Sequence, residues 1–465
     1  MADTPSLPRT SAEWHRRVWH LTWPVILANI TIPLVGVADV AVMGRLPDPI
    51  YIGAVAMGAA MFSAVYWMFG FLRMGTTGLA AQAWGGGDKT EVQAIFVRAI
   101  TMATLLGALI ILLQWPLKLM LFELFDASPA IESLADRYYT IRIYGAPGLL
   151  IHLVQLGTLF GLQRMRDTLW LSIGMNVTNL VLDVVLVLGL GMGVEGVALG
   201  TTISEWGAAG FGFWLVFRAL AQLPSTVAPT QGNARTEFQH TVRIATSPGI
   251  WQSAKIRALF DVSANLILRT FFVQLPFFAG TVLATGLGDI TLAVHGILMQ
   301  LFFVMTYSLD GFAHTAETLC GFTYGARQPD QLRQSATYCA IWGGILALAT
   351  GALYALAGAD FVALLSVSTQ VQGAAAAYLP WVALAPLVCV WAFLLDGIFI
   401  GTTHIREMRN AMLAAAVGWG ILLWLTYASL GYHAVWLSMI VFMLLRGILL
   451  GAYYPRIERG ARSLA

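Results

Sequence analysis

The stretch LWLSIGMNVTNLVLDVVLVLGLGMG, from Leu169 to Gly193, contains a single charged residue, Asp183. About 20 apolar residues are enough for a helix to span the hydrocarbon core of a bilayer. Asn176, Asn179 and Asp183 recur here at i, i+3 and i+7, so they share one face of such a helix. Because lipid cannot satisfy a polar face, this face must turn toward protein or water.

Similar charge-poor segments recur along the 465-residue chain, which is 58% hydrophobic and 11% charged. Soluble domains carry about 25% charged residues, so the composition excludes a soluble protein. The expected fold class is an all-α integral membrane protein with twelve transmembrane helices. These helices are predicted near residues 18–38, 49–72, 99–117, 143–163, 169–193, 196–217, 266–287, 290–312, 335–359, 374–400, 410–430 and 434–453.

An internal repeat with an offset of about 240 residues relates the two halves. Gly157 and Gly161, for example, correspond to Gly397 and Gly401. Two parallel six-helix bundles facing each other are a common plan of transporters. The predicted domains are an N-terminal tail (1–20), a first six-helix bundle (21–218), a cytoplasmic linker (219–257), a second six-helix bundle (258–455) and a C-terminal tail (456–465).

Basic residues are distributed unequally between the two sets of loops. One set holds most of them, whereas the basic residues of the opposite set are only Arg45, Lys118, Arg137 and Arg142. Because loops rich in Lys and Arg stay in the cytoplasm, both termini are expected to be cytoplasmic. No small-residue cleavage site follows the polar start of the chain, so no cleaved signal peptide is indicated.

Ionisable residues inside spans are functional candidates, because each costs about 2.5–3.5 kcal/mol to insert. Asp39 lies on the first helix after Pro24 and Pro33, which favour a bend. The bend is either a fixed structural feature or one that changes when Asp39 changes protonation. The polar face of the fifth helix is interpreted as an ion or proton site, with hydrogen bonding between helices as the alternative.

Other charged residues lie in the spans or at their ends. Glu317 is near a cytoplasmic helix end and is expected to be solvated, and Arg269 is expected to extend toward the cytoplasmic interface. The acids for which coupling, substrate-lining and structural roles stay open are Glu205, Asp310, Glu317 and Asp396.

Several activities lack support in the sequence. The GxGxxG pattern from Gly191 to Gly196 follows no strand and joins two apolar helices, so it does not indicate a dinucleotide site. No Walker loop is present, and an ATP-driven pump is not expected. Cys320, Cys339 and Cys389 match no metal or redox pattern. No nucleophile–base spacing is found either, so neither an enzyme, a metal site nor a cofactor is expected.

Seven motifs together resemble one family. They are NITIP at 29–33, GVADVAVMG at 36–44, FLRMGTTG at 71–78, LDV at 182–184, LDGF at 309–312, LDGIFIG at 395–401 and REMRN at 406–410. In these motifs the chain resembles the multidrug and toxic compound extrusion (MATE) family, in its DNA-damage-inducible (DinF-type) branch. The resemblance spans nearly the whole chain. It implies two six-helix bundles forming a V, alternating access, and exchange of drugs for a cation.

The resemblance also implies the coupling residues. The family's proton site corresponds to Asp39 on helix 1, Asn179 and Asp183 on helix 5 and Thr201 on helix 6. A sodium ion at Asp39, Asn179 and Asp183 is the alternative. Further coupling or substrate-lining candidates are Asn176, Glu205, Asp310 and Asp396. Other branches place a cation-binding Asp at the position of Asp396, although the spacing to the following glycine differs here.

The expected function is therefore proton-coupled export of amphipathic or cationic organic compounds by a monomer in the bacterial inner (plasma) membrane, with no nucleic-acid partner. A sodium-coupled drug antiporter and a flippase for lipids or lipid-linked substrates are the alternatives. A flippase should carry a lipid-accessible basic groove, and no intramembrane arginine cluster is expected here. A membrane-embedded enzyme would need a polar cluster at one interface, whereas Asp39 and the helix-5 face lie inside spans.

Overall fold

The computed structural model describes residues 7–46, 48, 50–125, 127–224 and 233–464. Within these residues the regular structure is helical. In the first half the helices are α1 (Ser11–Met43), α2 (Ile50–Tyr66), α3 (Phe71–Gly85), α4 (Lys89–Leu112), α5 (Gln114–Leu124), α6 (Pro129–Arg142), α7 (Ala146–Gly161), α8 (Met165–Asp183) and α9 (Val194–Ala221). In the second half they are α10 (Ala234–Ala245), α11 (Ser253–Gly286), α12 (Asp289–Gly325), α13 (Pro329–Leu365), α14 (Thr369–Ala376), α15 (Leu379–Gly401), α16 (Ile405–Leu430) and α17 (Tyr432–Leu464).

The helices are long and apolar enough to cross a bilayer. Ten helical segments of the described residues meet this requirement by length and composition. Some of them join two helices, as α6 and α7 do across the 3₁₀ turn Ile143–Gly145. The long helices α1 and α9, of 33 and 28 residues, coincide with two further predicted spans. The predicted all-α membrane fold with twelve transmembrane helices is confirmed.

The chain forms two compact units. The first comprises Leu27–Leu259, and the second combines Leu7–Ile26 with Phe260–Ala465. The first part of α1 thus packs within the second unit, where Trp14 donates a 2.7 Å hydrogen bond to Gln334. This division differs from the predicted boundaries, which treat residues 1–20 as a tail, because the buried side chain of Trp14 anchors this part of α1. The predicted cytoplasmic position of the tails and linker stays a prediction.

Part of the predicted linker is an ordered helix in the first unit. Asn233 caps the start of α10 with its side chain. Glu237 on α10 accepts hydrogen bonds from Lys89 at 2.7 Å and from Gln93 at 3.0 Å. These contacts attach α10 to the beginning of α4.

Paired glycines bring helices together in both units. α3 packs on α7 at Gly157 and Gly161, and α12 packs on α15 at Gly397 and Gly401. A Cβ atom at any of the four would lie only 2.0–2.8 Å from the nearest atom of the facing helix. Small residues four apart permit this close approach of two backbones in a membrane. The sequence repeat therefore corresponds to the same helix contact in each half.

Candidate coupling site

Two carboxyl groups meet in the first unit. Asp39 lies in the last part of α1, and Asp183 is the last residue of α8. Their side chains are in contact, with Asp183 completely buried and Asp39 partly exposed. A pair of carboxylates at such close range repel each other strongly in a medium of low dielectric constant. The contact therefore favours a bound cation or proton at the pair.

Several oxygens around this pair have no hydrogen-bond donor. Oδ1 of Asp39, both carboxyl oxygens of Asp183 and Oδ1 of Asn179 are buried, and none accepts a hydrogen bond from the described part of the chain. Buried acceptors normally have a partner, and an unmet one costs about 1–3 kcal/mol. A proton on either carboxyl would supply a donor to the other, and a cation would use the same oxygens as ligands.

The two asparagines of α8 connect that helix to two neighbours. Nδ2 of Asn176 donates to Oγ1 of Thr31 on α1 at 2.7 Å. Nδ2 of Asn179 donates to Oγ1 of Thr201 on α9 at 3.1 Å. The polar face predicted on this helix thus contacts α1 at Thr31 and Asp39 and α9 at Thr201. The structure brings Asp39, Asp183, Asn179 and Thr201 together, and their role in coupling stays a prediction.

The backbone around Asp183 is shaped to hold its side chain. A π-helix, Val184–Gly189, follows Asp183 directly, and π-helical turns are frequent at functional sites. Opposite Asp183, α9 presents Gly200, where a Cβ atom would lie 2.4 Å from Oδ1 of Asp183. Only glycine at this position allows the carboxyl group to rest against the α9 backbone.

Substitution of Gly200 by Ala should displace the Asp183 carboxyl group. We expect the variant to fold and to transport about ten to a hundred times more slowly, because catalytic groups misplaced by about 1 Å lose rate on this scale. Gly207→Ala is the matched control on α9, since a Cβ there meets nothing within 4 Å. The measurement is transport in vesicles, normalised to folded protein. Equal rates for the two variants would show that close packing at Gly200 does not position Asp183.

A buried ion pair lies beside the carboxyl pair. Nη1 and Nη2 of Arg142 donate to the two carboxyl oxygens of Glu205 at 2.7 and 2.5 Å. The guanidinium also lies over the rings of Phe62 and Tyr66, at 5.2 and 5.4 Å from their centroids. The prediction that Arg142 lies in an outer loop is wrong, because it is 6% exposed within the continuous span Pro129–Gly161.

Electrostatic contacts extend from the ion pair to the coupling candidates. Arg142 interacts electrostatically with Asp39. The buried side chain of Tyr138 interacts electrostatically with Arg142, Asp39, Glu205 and Asp183. We call Asp39, Asp183, Glu205, Arg142 and Tyr138 the first-unit cluster. Of these, sequence reasoning singled out only the acids. The missed signal was Arg142 itself, an arginine directly before a long apolar run.

Three expectations about the second unit are wrong. Arg269 does not extend to the interface, because it is buried and donates to Asp396. Asp396 also accepts a 2.5 Å hydrogen bond from Arg446 on α17, so an arginine cluster does lie within the spans. Glu317 is 1% exposed rather than solvated, and its Oε2 lies 3.1 Å from Nδ1 of His314.

The remaining candidates are placed as follows. Asp310 is partly exposed on α12 and interacts with Tyr307 one turn earlier. α1 continues through Pro24, which is buried. The side chain of Pro33 lies outside the described residues, so the predicted bend of helix 1 stays a prediction.

Comparisons with known proteins agree with this architecture. The sequence profile of the MatE family matches residues 24–185 and 266–427, two matches that begin 242 residues apart. The chain is 40% identical over 441 residues to DNA damage-inducible protein F of Escherichia coli (strain K12), covering 95% of this chain and 92% of that protein.

Solved structures share the fold. The crystal structure of the Vibrio cholerae MATE transporter VcmN in the bent form superposes with a TM-score of 0.83 at 17% identity, covering 97% of this chain and 98% of that one. An outward-facing conformation of a multidrug resistance MATE family transporter of the MOP superfamily gives 0.82 at 19% identity, covering 96% of each chain.

Proposed function

The chain belongs to the MatE family, and we propose that it exports amphipathic, often cationic organic compounds in exchange for protons. It is a multi-pass membrane protein, and several proteins that it resembles are described as transporters. The observation that carries proton coupling is the contact between Asp39 and Asp183, whose buried oxygens lack donors among the described residues.

The exchange of substrate for a proton follows because the proton and the cationic compound compete for the two carboxyl groups. A proton shared by Asp39 and Asp183 removes one of the two negative charges that attract a cationic compound. It also turns one carboxyl group into a donor for the other, which changes the hydrogen bonding of the α1 segment that carries Asp39. One charge that moves inward yields about 2.3 kcal/mol per 100 mV. Because a tenfold gradient corresponds to about 1.4 kcal/mol, one proton driven by about 100 mV supports export of an uncharged compound against a gradient of tens-fold. When a monovalent cation leaves as one proton enters, the two charges cancel and only the proton concentration gradient drives the exchange.

Sodium coupling is a second candidate, which the same oxygens favour. Hard cations prefer oxygen ligands, and the carboxyl oxygens of Asp39 and Asp183 with Oδ1 of Asn179 would provide them. We place the proton first because a proton alone converts two repelling carboxylates into a hydrogen-bonded pair.

Imposed gradients distinguish the two ions. Liposomes containing the protein are loaded with a fluorescent cationic dye, and dye efflux is followed while either a proton or a sodium gradient is imposed. We expect the inward proton gradient to drive efflux at equal sodium on both sides, and a protonophore to abolish it. Efflux driven only by sodium would replace the proton by sodium, and efflux driven by neither would contradict ion-coupled export. Protein-free liposomes are the control.

We also propose an orientation for the chain in the membrane, with both termini in the cytoplasm. Cytoplasmic termini in a bacterial inner membrane are supported by the basic residues of one loop set and by the similarity to a bacterial relative. We propose that the monomer is the transporting unit.

A further inference from the structure

The second unit contains three buried charged side chains whose charges do not cancel. Arg269 on α11, Asp396 on α15 and Arg446 on α17 are 9%, 5% and 1% exposed. Nη2 of each arginine donates to the same oxygen, Oδ2 of Asp396. Two guanidinium groups and one carboxylate leave one positive charge within the spans. An uncompensated buried charge is strongly destabilising, so the arrangement calls for a counter-ion.

The cluster formed by Arg269, Asp396 and Arg446 also has polar atoms without a hydrogen-bond partner among the described residues. Nε of Arg269 and Nε of Arg446 are buried donors without an acceptor among the described residues, and Oδ1 of Asp396 has no donor there. The other neighbours of Arg446 among the described residues include no acid: they are the sulfur of Met443 at 3.0 Å, the rings of Phe442 and Phe393 at 5.4 and 5.9 Å, and the thiol of Cys389. Both arginines therefore retain N–H groups to offer to a further acceptor.

The internal repeat shows how unusual this charge is. Arg446 follows Glu205 by 241 residues, which is the offset of the repeat to within one residue. In the first unit Glu205 forms one neutral pair with Arg142 through both of its oxygens. In the second unit the corresponding helix α17 carries an arginine, and a further arginine competes for the only acid of the cluster. The two units thus carry buried charges of opposite sign about one repeat apart.

We propose that Arg269 and Arg446 bind a compact anion in the second unit, either an inorganic ion of chloride size or the carboxylate of an amphipathic compound. Arginine suits this role because its planar donors match a carboxylate and stay charged. Asp396 holds the two guanidinium groups in place and accounts for half of their charge. The anion neutralises the remaining positive charge and accepts hydrogen bonds from the N–H groups that Asp396 does not use.

Removal of one arginine should remove the need for the anion. Arg446→Gln leaves Arg269 and Asp396 as a neutral pair, so this variant should fold without an anion. Arg269→Gln is the second variant with the same charge. Arg406→Gln is the matched control, because Arg406 also forms an ion pair with α11, at 2.8 Å from Asp261, but is largely exposed.

The experiment measures the Tm of the purified protein during titration with sodium chloride, sodium 1-naphthoate or uncharged 1-naphthalenemethanol. A ligand that binds the folded state raises Tm, and we expect a rise of about 2–4 °C with an anion but not with the alcohol. The rise should persist in Arg406→Gln and be lost in Arg446→Gln and Arg269→Gln. Chloride alone raising Tm identifies an inorganic ion, and 1-naphthoate alone identifies an organic carboxylate.

Two results would overturn the site: no greater rise with either anion than with the alcohol in the wild type, or the same rise in the two cluster variants as in the control. The wild-type comparison of 1-naphthoate with the alcohol holds even where a variant does not fold. Because Tm requires neither export nor a coupling ion, failure here leaves proton coupling untouched, and failure of the gradient assay leaves the anion site untouched.

Discussion

Export driven by protons should be lost in both Asp39→Asn and Asp183→Asn, while both variants remain folded. Each substitution keeps the size of the side chain and removes one of two touching carboxyl groups. A neutral amide is easier to bury than a carboxylate, so the variants should be at least as stable as the wild type. A single remaining carboxyl group still takes up a proton, but it no longer changes a repelling pair into a hydrogen-bonded one.

The measurement is dye efflux from liposomes under an inward proton gradient, normalised to the amount of folded protein. We expect at least a tenfold decrease for each variant, and no further decrease in the double variant, because the two groups act as a unit. Asp360→Asn is the matched control, since Asp360 is exposed on α13. Wild-type efflux in Asp39→Asn would exclude Asp39 as the coupling residue.

A purely structural role of Asp39 and Asp183 predicts a loss of stability instead of a loss of transport. If Asp39 and Asp183 only hold α1 against α8, the variants should show a lower yield or Tm with unchanged transport per folded molecule. Measuring both the efflux per folded molecule and the Tm of each variant therefore distinguishes a coupling role from helix packing, which efflux alone cannot do.

The polar face of α8 was predictable from the sequence because it depends only on helical periodicity. Asn176, Asn179 and Asp183 must share one side of any helix that contains them. Their partners were not predictable on the same ground. Whether Asn176 donates to Thr31 or to another hydroxyl is decided by how α1 packs on α8, and hydropathy contains no information on that.

The buried arginines were harder to place, because hydropathy treats every charge as evidence for a loop. Arg142 directly precedes an apolar run and was assigned to a loop, although Glu205 neutralises it inside the membrane. Arg446 interrupts the last predicted span and was visible as an intramembrane charge. An acid is the expected proton carrier, so a lone arginine in a span did not indicate a partner for Asp396. Charge pairs between distant segments become visible only when the helices are packed.

The largest effect on stability is expected at the ion pair between Arg142 and Glu205. Removal of one partner of a buried pair costs about 3–5 kcal/mol, because the other charge stays buried alone. For a chain of 465 residues, Arg142→Met and Glu205→Gln should therefore each lower Tm by about 3–5 °C. Gly145→Ala should act in the same direction, since a Cβ there would lie 2.3 Å from Oε2 of Glu205.

The double variant Arg142→Met/Glu205→Gln tests this explanation. It has no buried charge at the pair, so we expect most of the lost Tm to return, as it does when both members of a buried pair are replaced by uncharged groups. Losses of Tm that simply add in the double variant would mean that Arg142 stabilises the fold through the rings of Phe62 and Tyr66 instead. Transport by the double variant then tests whether coupling at Asp39 requires the positive charge of Arg142. A stable protein with slow proton-driven efflux would show that the positive charge beside the carboxyl pair is needed for coupling, whereas normal efflux would limit the ion pair to holding α6 against α9.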